Sequence, residues 1–164
     1  MHLKQKSGLF LSVFLMALAI YYWQAPTLSI APNAIFKTIT GETISLVDLR
    51  GKPVLVTFWA TDCASCLKEI PDLIKLQQQF GPRGLSIIAV AMYYDPPNHV
   101  LTMAHEKQLP YAVALDPSAE LAIAFGNVQF TPTTFLIDKA GMIVMKKIGI
   151  FGLSALQEWL SNVN

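Results

Sequence analysis

Long apolar runs alternate with segments of mixed polarity along this chain, and the alternation predicts its secondary structure. Two runs, residues 54–60 and 85–91, are rich in β-branched residues and contain almost no polar positions. Such runs are typical of strands that are buried on both faces of a sheet. Residues 64–80, between them, carry apolar side chains at helical spacing. We therefore predict a strand–helix–strand unit with two parallel strands and a right-handed crossover.

Shorter periodic segments predict further elements on both sides of this unit. Strands are expected at residues 35–39, 43–46, 111–115, 133–137 and 142–147, and the last two flank a hairpin turn at residues 138–141. Helices are expected at residues 98–107, 119–125 and 155–160, and Ser154 is expected to cap the last one. Residues 24–34 contain two prolines and are predicted to be a linker, which leaves residues 35–164 as one α/β domain.

An apolar segment near the N-terminus, residues 8–23, contains no charged side chain. Lys4 and Lys6 precede it within residues 1–7, and Tyr21–Trp23 supply aromatic residues at its end. We predict an uncleaved signal-anchor: residues 1–7 in the cytoplasm, a single span through the inner (cytoplasmic) membrane, and the domain on the periplasmic or extracytoplasmic side. A length of about sixteen residues also leaves a cleaved signal peptide open. Both alternatives export the domain to a compartment where disulfides persist.

Charge and composition exclude several classes of function. The formal net charge is +1 and only 14% of residues are charged, so no polybasic surface for nucleic acid is expected. The chain has two cysteines, too few for a small scaffold that disulfides hold together. No motif for a flavin or a nicotinamide cofactor is present in the sequence, and no cofactor is predicted.

The two cysteines, Cys63 and Cys66, lie where the first buried strand gives way to the helix. A helix N-terminus has free N–H groups and positive dipole character, and both favour a thiolate. Cys63 should therefore have the lower pKa and be the attacking sulfur. Cys66 follows one turn later, and Cα atoms so spaced are about 5 Å apart, within disulfide range. The pair can support a two-step thiol–disulfide exchange.

Other interpretations of a C-x-x-C pair fit this chain less well. Half of a zinc site would need a second pair of ligands, and an inert disulfide over so short a loop would stabilise little. A Cu(I)-binding chaperone could use both thiolates, although no Met or His adjoins them. A thiol peroxidase is a further alternative, which Thr61 before Cys63 faintly suggests, but the Arg and Pro expected around its cysteine are not evident.

The segment 54–71 resembles the thioredoxin superfamily, and in particular the TlpA-type branch of membrane-anchored disulfide reductases, which includes cytochrome c maturation thioredoxins. Residues 130–138 look like the cis-proline segment of that branch, and the helix after Pro97 looks like its helical insert. The resemblance covers about residues 30–160. It implies a thioredoxin-like fold: a central mixed sheet flanked by helices, with a TlpA-type insert and an N-terminal membrane helix.

The resemblance also suggests roles for three residues outside the cysteine pair. Pro132 would be cis and next to the cysteines, whereas the residues alone leave a trans loop proline equally open. The backbone of Thr131 would then pair with a substrate strand. Glu69 would be buried beneath the cysteines and assist proton transfer, and the alternative is a solvated surface carboxylate.

The sequence departs from the pattern of the family in three respects. Asp62 replaces the usual Trp before the first cysteine, Ala64-Ser65 replaces Gly-Pro or Glu-Pro, and Thr57 stands where thioredoxins proper carry a buried Asp. These departures bear on redox potential and choice of partner. The expected activity is reduction of disulfides in exported proteins, with electrons from a membrane or periplasmic thiol donor.

Overall fold

The structure is a computed structural model that describes Met16 and residues 29–163. The predicted cytoplasmic residues 1–7 and, apart from Met16, the predicted anchor 8–23 lie outside the described residues. Among the helices that are described, none is long and apolar enough to cross a membrane.

Eight strands and four α-helices form the described part of the chain. The strands are β1 Ser29–Ile30, β2 Ile35–Lys37, β3 Thr43–Ser45, β4 Val54–Trp59, β5 Ser86–Ala91, β6 Ala112–Leu115, β7 Thr133–Ile137 and β8 Met142–Ile148. The helices are α1 Ala64–Phe80, α2 Pro97–Glu106, α3 Glu120–Ala124 and α4 Leu153–Val163. Single 3-10 turns occur at Val47–Leu49 and Gly81–Arg83. The predicted helix over residues 64–80 is confirmed at both ends.

Six strands form one mixed sheet in the order β1-β8-β7-β4-β5-β6. β4 is parallel to β5, and β5 is parallel to β6, whereas β7 is antiparallel to β4 and to β8. This confirms the predicted parallel pair and the hairpin around residues 138–141. All six residues of β4 are buried, as expected for a central strand covered on both faces.

Two apolar layers cover the faces of this sheet. Alternate residues of β4 point to opposite sides, because side chains in a strand alternate. Val56 and Phe58 belong to the core that includes Phe36 of β2 and residues of α3. Leu55 belongs to the other core, which residues of α1 and α4 complete. The cysteine-bearing helix α1 is therefore held against the sheet by its own apolar stripe.

The structure corrects two boundaries. Ser29–Ile30 pairs with β8, and Ala31 and Ala34 are buried, so the predicted linker 24–34 overlaps the folded domain. Two residues are too few to show the alternation from which strands are predicted. Ser154 does not cap the last helix, because α4 already begins at Leu153. The fold as a whole is the thioredoxin-like α/β arrangement that was expected.

Candidate active site

The cysteine pair lies at the N-terminus of α1, immediately after the turn that follows β4. Cys63 is the N-cap residue of the helix, and its Sγ accepts a hydrogen bond of 3.2 Å from the backbone N–H of Cys66. The Ser65 hydroxyl lies 3.4 Å from the same sulfur. Cys63 and Cys66 form a disulfide with their Cα atoms 5.2 Å apart, close to the expected separation.

The two sulfurs differ in their access to solvent. Cys66 is only 3% exposed, whereas Cys63 is partly exposed. An incoming sulfur can therefore reach Cys63 and not Cys66. Together with the N–H group directed at Cys63 Sγ, this asymmetry favours the predicted order, in which Cys63 reacts first.

Asp62, which directly precedes Cys63, is exposed to solvent. Water and salt screen a carboxylate in that position, so its effect on the neighbouring sulfur is weakened. A further departure near the site, Thr57, is buried and shares a hydrogen bond of 3.0 Å with Thr134 on β7. The hydroxyl pair links β4 to β7 without introducing a charge.

Glu69 is buried beneath the cysteine pair, as expected, and is only 2% exposed. Its Oε1 accepts a hydrogen bond of 2.7 Å from the backbone N–H of Phe151. Burial raises the pKa of the Glu69 carboxyl to about 7, because desolvation outweighs the lowering effect of the Phe151 hydrogen bond, and Asp72 adds a smaller increase. The side chain can thus exchange a proton near neutral pH.

A small cavity connects Glu69 with the buried cysteine. Cys66, Glu69, Trp59 and Tyr111 are among its lining residues, and its volume accessible to water is about 10 Å³. That is near the least volume that one water molecule needs. The cavity places the carboxyl group of α1 and the inner sulfur of the pair on a common internal surface.

The peptide bond between Thr131 and Pro132 is cis, which confirms the prediction from the resemblance over the trans alternative. Pro132 is buried and directly precedes β7. Because Thr133 is paired with Phe58, the start of β7 lies beside the end of β4, next to the cysteine turn. Thr131 is partly exposed at this edge. The Pro132 carbonyl accepts a hydrogen bond of 2.8 Å from Gly149 and is thereby occupied within the fold.

Exposed apolar side chains are present at the same edge of the sheet. Tyr93 and Tyr94 follow the end of β5, Phe130 precedes Pro132, and Ile148 and Ile150 lie at the end of β8. The strand directions bring all five to the end of the sheet that carries Cys63. Phe130, the only phenylalanine among the five, is 65% exposed.

Sequence reasoning missed one polar residue of this site, Asp95. It is 7% exposed, and its two carboxylate oxygens accept hydrogen bonds from Thr61: 2.6 Å from the backbone N–H and 2.7 Å from the hydroxyl. A signal was available, because an Asp shortly after a buried parallel strand lies at the edge where functional groups gather. His99 and His105 on α2 are both exposed.

No group of three or more His, Cys, Asp or Glu side chains arranged to hold a metal ion occurs among residues 29–163. The described site offers the Cys63–Cys66 sulfur pair, the buried carboxyl groups of Glu69 and Asp95, and the backbone edge at Thr131. Those groups suffice for exchange between disulfides and thiols, in which sulfur is both nucleophile and leaving group.

Comparisons with known proteins agree with this geometry. The model of the AhpC/TSA family matches residues 27–146. A thiol-disulfide oxidoreductase ResA from Bacillus thuringiensis subsp. konkukian is 32% identical over 133 residues, which cover 81% of this chain and 76% of the relative.

Two solved structures have the same fold. A thiol:disulfide interchange protein of the thioredoxin family from Chlorobium tepidum superposes with a TM-score of 0.75 at 26% identity, covering 83% of this chain and 96% of the other. The pneumococcal exposed lipoprotein thioredoxin Etrx1 has a TM-score of 0.69 at 25% identity, covering 79% and 98%. By the extent of the family match and the identity to ResA, the chain belongs to the thioredoxin-like AhpC/TSA family.

Proposed function

We propose that this protein is a thiol–disulfide oxidoreductase that reduces disulfides of other proteins. The observation that carries the proposal is the asymmetry of the Cys63–Cys66 disulfide: one sulfur is accessible at a helix N-terminus and the other is buried behind it. ResA and the interchange protein, named for this activity, support it.

The exchange proceeds in two displacements. In the reduced protein, the Cys63 thiolate attacks one sulfur of the substrate disulfide, and the other substrate sulfur leaves as a thiolate that takes up a proton. The Cys66 thiolate then attacks Cys63 Sγ in the mixed disulfide and releases the second substrate thiol. Two electrons pass to the substrate, and the protein is left with the Cys63–Cys66 disulfide. A membrane or periplasmic thiol donor restores the dithiol by the reverse exchange.

Glu69 serves in this scheme as the proton acceptor for Cys66. The Cys66 thiol is buried and must lose its proton before it attacks, and the two residues line one cavity. A carboxyl group whose pKa is about 7 is partly ionised at neutral pH and can accept that proton.

Thr131 and Pro132 form the proposed docking edge for the substrate. Thr131 is partly exposed beside the cysteine turn, where its backbone can pair with an extended substrate segment. The five exposed apolar residues at this edge supply contact area for that segment, and helix α2 is the proposed counterpart of the TlpA-type insert.

Single substitutions of the cysteines test the mechanism. We expect Cys63→Ser to abolish reduction of insulin disulfides in the presence of a thiol donor, because the accessible nucleophile is lost. Cys66→Ser should instead trap a mixed disulfide with the substrate, visible as a band that thiols remove on a non-reducing gel. Wild-type multiple turnover by Cys66→Ser would contradict the two-step scheme. Consumption of hydrogen peroxide at a higher rate than insulin would favour the peroxidase alternative.

We further propose that the domain is exported and anchored to the inner (cytoplasmic) membrane by residues 8–23. Lys4 and Lys6 before an apolar segment, and Tyr21–Trp23 after it, support this orientation. After cell fractionation and carbonate extraction, the full-length protein should remain with the membranes. Recovery of the full-length chain in the soluble periplasmic fraction would contradict the anchor.

A further inference from the structure

The turns that follow β4 and β5 are joined by a chain of hydrogen bonds centred on Asp95. Met92 N–H donates to the carbonyl of Trp59 at 3.0 Å, and Asp95 N–H donates to the carbonyl of Met92 at 2.9 Å. The Asp95 carboxylate, after β5, accepts two hydrogen bonds from Thr61, after β4. The backbone of Asp95 is therefore held by Met92, while its side chain contacts the turn at residues 60–63 that precedes α1.

Thr61 lies inside the turn that delivers Cys63 to the helix. Cys63 N–H donates to the carbonyl of Ala60 at 3.2 Å, so Thr61 and Asp62 are the two central residues of this turn. Asp62 is exposed, which leaves Thr61 as the residue through which the rest of the fold holds the turn. Fixing the N–H and the hydroxyl of one residue together sets both its position and its orientation.

We propose that Asp95 is a positioning residue for Cys63: by holding the Thr61 turn, its carboxylate keeps the Cys63 sulfur within reach of the N-terminal N–H groups of α1. The inference rests on the proposed exchange function for its biological meaning, although not for its test. The loop between β5 and α2 would then help to position Cys63, since Asp95 directly precedes the two prolines at the start of α2.

Asp95 can affect the Cys63 thiolate in two ways that differ in sign. Its negative charge, if felt at the sulfur, disfavours the thiolate, and removing it would lower the pKa of Cys63. Its hydrogen bonds keep the sulfur beside the Cys66 N–H, and losing them would raise that pKa. Both carboxylate oxygens are hydrogen-bonded to Thr61 and neither to the cysteine itself, so we expect the positional effect to be the larger one.

The test measures the pH dependence of Cys63 alkylation by iodoacetamide in the reduced full-length protein. We expect Asp95→Ala to raise the pKa of Cys63 by about one unit, which lowers the thiolate population about tenfold below the pKa. Asp95→Asn retains one acceptor oxygen and should fall between the wild type and Asp95→Ala. If the charge alone mattered, both variants would lower the pKa by the same amount, and the proposal would be overturned.

A second pair of variants tests the side-chain half of the contact, the hydrogen bond from the Thr61 hydroxyl, without changing a charge. Thr61→Val loses the hydroxyl donor and should raise the pKa of Cys63, whereas Thr61→Ser retains the hydroxyl and should restore the wild-type value. The titratable groups beside the turn, namely Asp62 and, on α2, His99 and Glu106, are unchanged in every variant, as is Glu69 on α1. If the pKa of Cys63 is unchanged in both single variants, Thr61→Val and Asp95→Ala, the proposal is also overturned.

Asp116 offers a matched control. It is another buried aspartate, and its two oxygens accept backbone hydrogen bonds of 3.0 and 2.9 Å from Leu121 and Ala122 in α3. Asp116→Asn should lower thermal stability without shifting the pKa of Cys63. Alkylation needs no protein substrate. The effect of Asp95 on the pKa of Cys63 can therefore be observed even if the protein does not reduce insulin, so failure of the positioning proposal is distinguishable from failure of the proposed function.

Discussion

Two opposing effects act on the carboxyl group of Glu69, and their balance decides its charge. Burial disfavours the ionised form, while the hydrogen bond from Phe151 N–H favours it. Burial is the larger effect, so the folded protein holds the Glu69 proton more tightly than the unfolded chain does. Folding and protonation of this residue are therefore linked.

The link predicts how stability depends on pH. Because the folded pKa of Glu69 lies near 7 and the ordinary value is 4.5, the stabilisation by the bound proton is complete below about pH 4.5 and is lost as pH rises to about 7. The free energy of unfolding should fall by roughly 3 kcal/mol across that window from this residue alone. Urea unfolding of the oxidised protein at several pH values measures the loss.

Glu69→Gln supplies the comparison for this prediction. Glutamine keeps an oxygen that can accept from Phe151 N–H but cannot ionise. The variant should therefore lack most of the decrease in stability between pH 5 and pH 7. A decrease as steep as that of the wild type would assign the pH dependence to other groups.

Residue patterns predicted some parts of this site and could not predict others. Cys63, Cys66 and the helix that follows them are evident because a short spacing and a periodic stripe lie within one continuous segment. The contact between Thr61 and Asp95 joins residues separated by 34 positions, and that between Glu69 and Phe151 joins residues separated by 82. Such pairs depend on how the strands assemble, which periodicity along a single chain does not contain.

The boundaries of helix α4 also depend on contacts between residues that are distant in sequence. Leu156 and Leu160 on this helix are buried against the face of the sheet that α1 also covers, where Leu55, Leu73 and Leu76 belong to the same cluster. A last helix was predicted with Ser154 as its cap, but its start at Leu153 was not predicted, because the preceding segment is held by a hydrogen bond from Phe151 N–H to Glu69. A tertiary contact, and not a capping side chain, fixes the segment that precedes α4.

Truncating one buried side chain of α4 should show how much the packing of this helix against the sheet stabilises the fold. Leu160 has no exposed surface, so Leu160→Ala leaves a cavity and should lower the free energy of unfolding by about 2–5 kcal/mol. Glu158→Ala on the exposed side of the same helix should change it by less than about 0.5 kcal/mol. Chemical denaturation of both variants in the oxidised state makes the comparison. Equal effects would mean that α4 contributes little to the core.

The groups that the complete fold brings to the Cys63 sulfur bear on whether the protein reduces or oxidises its partners. A strong oxidant needs a highly stabilised Cys63 thiolate, because that stabilises the reduced form. The groups that contact Cys63 Sγ are an amide N–H and a hydroxyl, both neutral. The nearest acid in sequence, Asp62, is exposed and opposes the thiolate weakly.

We therefore expect the protein to be a reductant. Its potential should lie nearer the value of thioredoxin, about −270 mV, than that of DsbA, about −120 mV. Equilibration of the purified domain with glutathione buffers, followed by separation of the two redox forms, measures the potential. A result close to that of DsbA would reverse the assigned direction and leave the exchange chemistry intact.

The distance along the chain between the cysteines and the elements that surround them also affects how the protein is made. A chain synthesised from its N-terminus presents β4, α1 and β5 before β7, β8 and α4 exist. During that interval β4 lacks its partner β7, and Glu69 lacks Phe151. We expect both thiols to be accessible in such a partly synthesised domain, where they can react with oxidants or with other nascent chains before the complete fold buries Cys66. We therefore expect the yield of correctly folded protein to depend on the ratio of thiols to disulfides where folding is completed.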